Sequence, residues 1–217
     1  MEVLVKNIVK DFKERRVLDH VNLEFYGGRV YGLRGKNGAG KTMLLRSLCG
    51  LILLDEGEVE VNGKTLGKDY SFPDDVGILI EGPGYIEEFS GFDNLKYISE
   101  IKKKIGDKEI EEMMLYFDLD PKDPRSVRKY SLGMKQKLGL CMAFMERPSL
   151  ILLDEPLNAL DEVAAKKLLE LILERKREGA LIIIASHDRE ELDYLSDEII
   201  FMKEGRILSD EKEISFY

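Results

Sequence analysis

Eight residues, Gly35-Lys36-Asn37-Gly38-Ala39-Gly40-Lys41-Thr42, satisfy the pattern G-x-x-x-x-G-K-T and have the composition of a phosphate-holding loop. Glycines let the backbone curl until successive amides face one anion, and a following helix adds the partial positive charge of its N-terminus. That charge is worth ~0.3–1 kcal/mol, up to ~2 when partly buried, so a triphosphate also needs the Lys41 ammonium and a metal ion. The Thr42 hydroxyl is placed to hold Mg2+. The alternative is a glycine-rich turn that merely connects a strand to a helix.

Residues 150–153 (LILL) form an apolar strand that delivers Asp154 and Glu155 to its carboxyl end, where ligands bind in open α/β sheets. Asp154 suits a metal held through water. Glu155 suits a general base that orients or deprotonates an attacking water, provided bulk solvent is excluded; otherwise it caps or solubilises a strand end. Residues 130–137 (YSLGMKQK) put Ser131 and Gly133 at the first turn of a helix, a second anion-holding geometry. Ser186-His187-Asp188 is not a hydrolase triad, because consecutive side chains diverge where a triad must converge. His187 follows a buried strand, and Asp188 and Glu191 suit the N-cap and N3 positions of the next helix.

The elements that must position these residues follow from periodicity. Alternating apolar residues in VLVKNIVKDF, VNLEFYGG and RVYGLRG predict three N-terminal strands. After Thr42 the spacing becomes helical and stops at Gly50, and GEVEVNGK predicts a strand running into a turn at Asn62-Gly63. Between residues 82 and 148 the strand signal fades, and FDNLKYISEIKKK and KEIEEMMLYFDL predict amphipathic helices. LILLD, ALIIIAS and DEIIFMK then return as strands. The first two are joined by the helix EVAAKKLLELILERKRE, which implies a parallel sheet covered on both faces. FMKEGRILSD predicts an edge hairpin turning at Glu204-Gly205.

Over 217 residues the formal charge of −9 argues against binding that depends on neutralising nucleic-acid phosphates. Cys49 and Cys141 lack metal-site spacing and read as reduced core thiols of a cytosolic protein. No apolar block of signal-peptide length opens the chain, and no run approaches the ~18–20 residues of a spanning helix. Lys102 to Lys104 read as a solvated helix face, and Met134, Met142 and Met145 as core packing.

Taken in order, these motifs resemble the ATPase domain of ABC transporters over essentially the full length. Beside the phosphate loop and LILLDEP, YSLGM at residues 130–134 matches the family signature and NALD at residues 158–161 its D-loop; His187 occupies the switch-histidine position. The resemblance implies an α/β fold: a P-loop NTPase core with a mostly parallel sheet, an N-terminal antiparallel β subdomain and an inserted helical subdomain. It implies one domain over residues 1–217, with the core at 1–81 and 149–217 and the helical part at about 82–148. ATP and Mg2+ are the implied cofactors. Phe12 would lie against adenine, though it could instead be a core residue of an edge strand. Ser131 and the amides around Gly133 would grip the γ-phosphate of an ATP held by a second ATPase subunit, a role compatible with Ser131 as a helix N-cap. His187 would reach the same phosphate.

The chain departs from the family at three places. Glu81 stands where the Q-loop glutamine would touch the metal, and a carboxylate there can still ligate while adding negative charge. Leu132 and Met134 replace a glycine and a glutamine of the signature. SLGMKQ resembles a prokaryotic branch that exports drugs and antimicrobial peptides. The implied function is therefore an ATP-hydrolysing motor working as a nucleotide-sandwich dimer, peripheral on the inner face of the cell membrane. It would dock on a separate integral membrane subunit through a groove beside Glu81. Tyr85, Phe89 and Phe92 are the candidate contacts, unless they pack inside the insert. The alternatives are a soluble ABC ATPase acting on a non-membrane partner, and a small-molecule kinase built on the same loop.

Overall fold

A computed structural model describes residues 1–13, 15–82 and 84–208; the side chain of Glu191 also lies outside the described part. The chain opens with β1 (Glu2–Phe12), β2 (Arg15–Tyr26) and β3 (Arg29–Arg34), followed by α1 (Lys41–Leu48). β4 (Glu56–Val61) and β5 (Lys64–Thr65) flank a turn in which Asn62 and Gly63 both have positive φ, the geometry of a two-residue hairpin. β1 pairs with β2 on one side and β4 on the other, giving an antiparallel sheet of order β2-β1-β4-β5.

β6 (Val76–Leu79) is a strand that the sequence reading did not assign. It precedes the helices α2 (Gly91–Lys102), α3 (Asp107–Tyr116) and α4 (Leu132–Phe144). β7 (Leu150–Asp154), α5 (Glu162–Arg177), β8 (Leu181–Ser186), α6 (Arg189–Leu195), β9 (Glu198–Lys203) and β10 (Arg206–Ile207) complete the described chain. The second sheet has the order β10-β9-β3-β8-β7-β6, parallel throughout except for the β9–β10 hairpin.

Side-chain alternation explains why this sheet is covered on both faces. On β8, Ile182 and Ile184 join an apolar cluster with Leu138, Phe144, Leu168 and Ile172 of α4 and α5. Leu181, Ile183 and Ala185 point the other way, toward Leu44, Leu45 and Leu48 of α1 and Val5 and Phe25 of the antiparallel sheet. β7 splits in the same manner, so both strands are apolar and buried until their last residues, Asp154 and Ser186. The two cores clamp the strand ends that carry Asp154 and His187. Cys49 and Cys141 are free and buried in these cores, as expected; burial pushes the Cys49 thiol up to about 11.

Candidate nucleotide-binding site

The phosphate loop bridges the end of β3 at Arg34 and the start of α1 at Lys41. A Cβ added at Gly35 would come within 2.4 Å of the Met202 carbonyl oxygen, so the loop crosses close to β9 only with hydrogen at that position. Gly40 caps α1 at φ +106, a left-handed conformation that favours glycine. It has no side chain to satisfy the first amides of the helix, which are left for an external anion.

Lys41 is 6% exposed, and its Nζ donates to the Gly35 carbonyl oxygen at 2.6 Å. Burial lowers its pKa, while the charges of Glu155 and Asp154 act in the opposite direction. Thr42 Oγ1 donates to Asp154 Oδ2 at 2.7 Å and so ties the loop to the end of β7. Burial raises the Asp154 pKa, against the Thr42 hydrogen bond and with the Glu155 charge. A hydroxyl and a carboxylate in contact are hard oxygen donors of the kind Mg2+ takes, with phosphate oxygens and water left to complete its octahedron. These residues fit that ion.

Glu155 has φ +49, a left-handed conformation that costs an L residue roughly 1–2 kcal/mol. Neighbouring groups hold it there. Its N–H donates to the Ala185 carbonyl at 2.8 Å. From α4, Gln136 Nε2 donates to the carbonyl oxygens of Pro156 at 2.9 Å and Glu155 at 3.3 Å. The carboxylate accepts from the Ser186 hydroxyl at 3.3 Å and the His187 amide at 3.1 Å, and it pairs with His187 Nδ1 at 2.8 Å. That last bond raises the His187 pKa above the usual imidazole value.

Arg15, Val17, Asn37, Gly38, Ala39, Gly40, Lys41, Thr42, Met43, Asp154 and Glu155 line one cavity of about 270 Å³. The structure thus brings most of the expected phosphate and metal residues to one wall. Gly35 and Lys36 belong to the loop without lining the cavity. Arg15 and the clamps from Gln136 and Ser186 were not anticipated. Gln136 falls two residues beyond the signature match, and the motif alone gives it no role.

Other expected residues stand apart. Ser131 accepts from the Met134 amide at 3.2 Å, which makes it the N-cap of α4. Gly133 lies against the turn after β7, where an added Cβ would meet the Ala159 carbonyl oxygen at 2.8 Å. Neither lines the cavity, and Leu132 between them is 74% exposed. Phe12 is about half exposed at the end of β1, with the Lys10 ammonium 5.5 Å from its ring centroid. β1 is an interior strand, which removes the reading of Phe12 as a core residue of an edge strand. Glu81 is ion-paired with Arg46 of α1 and is not on the cavity wall.

A second, largely apolar groove of about 560 Å³ runs beside Glu81, lined by residues that include Leu51, Phe72, Ile80, Ile98, Ile101 and Met142. Of the three aromatic candidates, Tyr85 and Phe92 pack against the helical core, so only Phe89 is exposed. Lys102 and Lys104 are not simply solvated either: they lie 4.0 Å from Glu146 and 2.6 Å from Asp75.

A phosphate loop, a threonine–aspartate hydrogen bond joining it to a strand end and an inserted helical layer are the layout of an ABC-type ATPase cassette. The family model described as ABC transporter matches residues 18–158, and the chain belongs to that family. It is 42% identical to the uncharacterized ABC transporter ATP-binding protein YybJ of Bacillus subtilis (strain 168), covering 97% of this chain and 96% of the relative. It is 34% identical to the lantibiotic transport ATP-binding protein SrtF of Streptococcus pyogenes, covering 94% and 88%. Among solved structures, the ATP-binding subunit of an ABC transporter superposes with a TM-score of 0.87 at 26% identity, covering 100% of this chain and 93% of the other.

Proposed function

We propose that this chain is the Mg2+-dependent, ATP-hydrolysing motor subunit of a membrane exporter, and that two copies close over two nucleotides. The observation that carries the reading is the division of the site. Lys41, Thr42, Asp154 and Glu155 gather at one cavity, while the signature residues Ser131 and Gly133 lie off its wall and beside an exposed Leu132. A γ-phosphate held by both sets needs a second subunit, and a second copy of this chain supplies it. Export is supported by similarity to the lantibiotic transport protein.

In this reading the loop amides and Lys41 bind the phosphates. A cavity of about 270 Å³ takes the phosphate chain, with the base outside it against Phe12. Thr42 and Asp154 would hold the metal ion, with Glu81 as a further ligand when released from Arg46. The bound ion would offset the negative charge of the phosphates during transfer. Glu155 takes the proton of the attacking water, and His187, bonded to Glu155 here, turns to the γ-phosphate in the closed dimer. In this reading a separate spanning subunit forms the transport path; among the described residues no helix is long and apolar enough to cross a membrane. The apolar groove beside Glu81 is the docking place for that partner and would keep the chain on the cytoplasmic membrane face.

Phosphate release tests the assignment. Lys41→Ala and Glu155→Gln should each fall by at least 10²-fold, the usual scale for a general base. Hydrolysis by Glu155→Gln at the parent rate would remove Glu155 from the mechanism.

A further inference from the structure

Arg15 stands on the cavity wall, yet no family motif assigns it a role. It begins β2 directly opposite Phe12, the last residue of β1, so the two side chains project from the same face of the hairpin end. The residue is exposed, and its Nη2 donates to the Gly38 carbonyl oxygen at 3.4 Å. That distance is at the long limit for a hydrogen bond, so the contact is weak and readily exchanged. Among the described residues no carboxylate pairs with Arg15. Its neighbour Arg16 is different, held by Asp11 at 3.0 Å and Asp19 at 3.2 Å.

We infer that Arg15 is a nucleotide-anchoring residue, whose guanidinium takes a phosphate oxygen of the diphosphate portion. The group has five donors in a planar fork that matches phosphate, and one long bond to Gly38 leaves the fork available. The crown of the loop, where that bond ends, is where diphosphate oxygens must lie to meet the loop amides. The antiparallel sheet thereby contributes a charged contact to a site otherwise built by the parallel sheet.

The inference rests on the proposed nucleotide site, and one titration separates the two. Binding of fluorescent ADP, with ATP and adenosine as competitors, is measured for the parent protein and for Arg15→Gln, Arg15→Lys and Arg16→Gln. Arg15→Gln should weaken ADP and ATP equally, by about tenfold (~1.4 kcal/mol). Adenosine affinity should not change, Arg15→Lys should recover part of the loss, and Arg16→Gln should bind as the parent does. Unchanged ADP affinity in Arg15→Gln overturns the anchoring role and leaves the nucleotide site standing. A loss that extends equally to adenosine overturns it in favour of a base contact. A parent protein that binds no nucleotide overturns both.

Discussion

Asp154→Asn should make the nucleotide-free protein more stable while abolishing its stabilisation by Mg2+. Asp154 is a partly buried carboxylate next to Glu155, and burial raises its pKa. The sign follows from that direction: the folded state holds the proton more tightly than the unfolded chain. Stability is therefore lost as pH rises from the ordinary carboxylate pKa through the raised one, and the penalty persists at neutral pH. Asparagine removes the charge, and its carbonyl oxygen can still accept from Thr42 Oγ1, now at 2.7 Å from Asp154. Stabilising single substitutions commonly gain about 0.5–2 kcal/mol. In a chain of 217 residues each kcal/mol moves the Tm by roughly 2–4 °C, so the rise should be about 1–8 °C. At a hundredfold excess over Kd, bound nucleotide adds ~2.7 kcal/mol, or about 5–10 °C. Scanning calorimetry with ADP, with and without Mg2+, should show the parent gaining a magnesium-dependent part of that shift and Asp154→Asn losing it. A variant that is less stable without ligand, or that keeps the magnesium-dependent part, refutes the reasoning.

Two further outcomes follow from the geometry. Gly133→Ala places a methyl where the Ala159 carbonyl oxygen is 2.8 Å away, so α4 or the turn after β7 must shift; phosphate release should fall at least tenfold while the Tm moves only a few degrees. His187 has its pKa raised chiefly by the Glu155 hydrogen bond, so its contribution to stability is complete below the unfolded imidazole value and disappears as pH rises through the higher folded value. The side chain is 60% exposed, so the effect is small; a His187→Ala variant should lack that step in a Tm–pH profile.

Where local chemistry decides the structure, the sequence was informative. The phosphate loop, the hairpin at Asn62-Gly63 and the apolar runs of β7 and β8 follow from glycine placement and hydrophobic run length. β6 was missed because four residues, two of them buried, carry too little pattern to distinguish a strand from a loop. Tyr85 and Phe92, which the sequence leaves open between surface contact and packing inside the insert, pack partly buried against the helical core, and no spacing rule distinguishes the two fates. Arg15 escaped notice for a different reason. It reaches the loop only through the pairing of β1 with β2, and a sequence read motif by motif does not carry that register. The pairing of Glu81 with Arg46, 35 residues away on α1, is likewise a contact that no local pattern carries.

Most direct is the mass of Glu155→Gln in saturating Mg-ATP, by size-exclusion chromatography with light scattering. If each nucleotide favours the closed pair a hundredfold, two supply the ~5.5 kcal/mol that turns a mostly open population into a mostly closed one. The predicted result is twice the 24.9 kDa chain mass, returning to a single mass with ADP or when Lys41→Ala is added. A protein that binds ATP at full stoichiometry and keeps the mass of one chain contradicts the shared site.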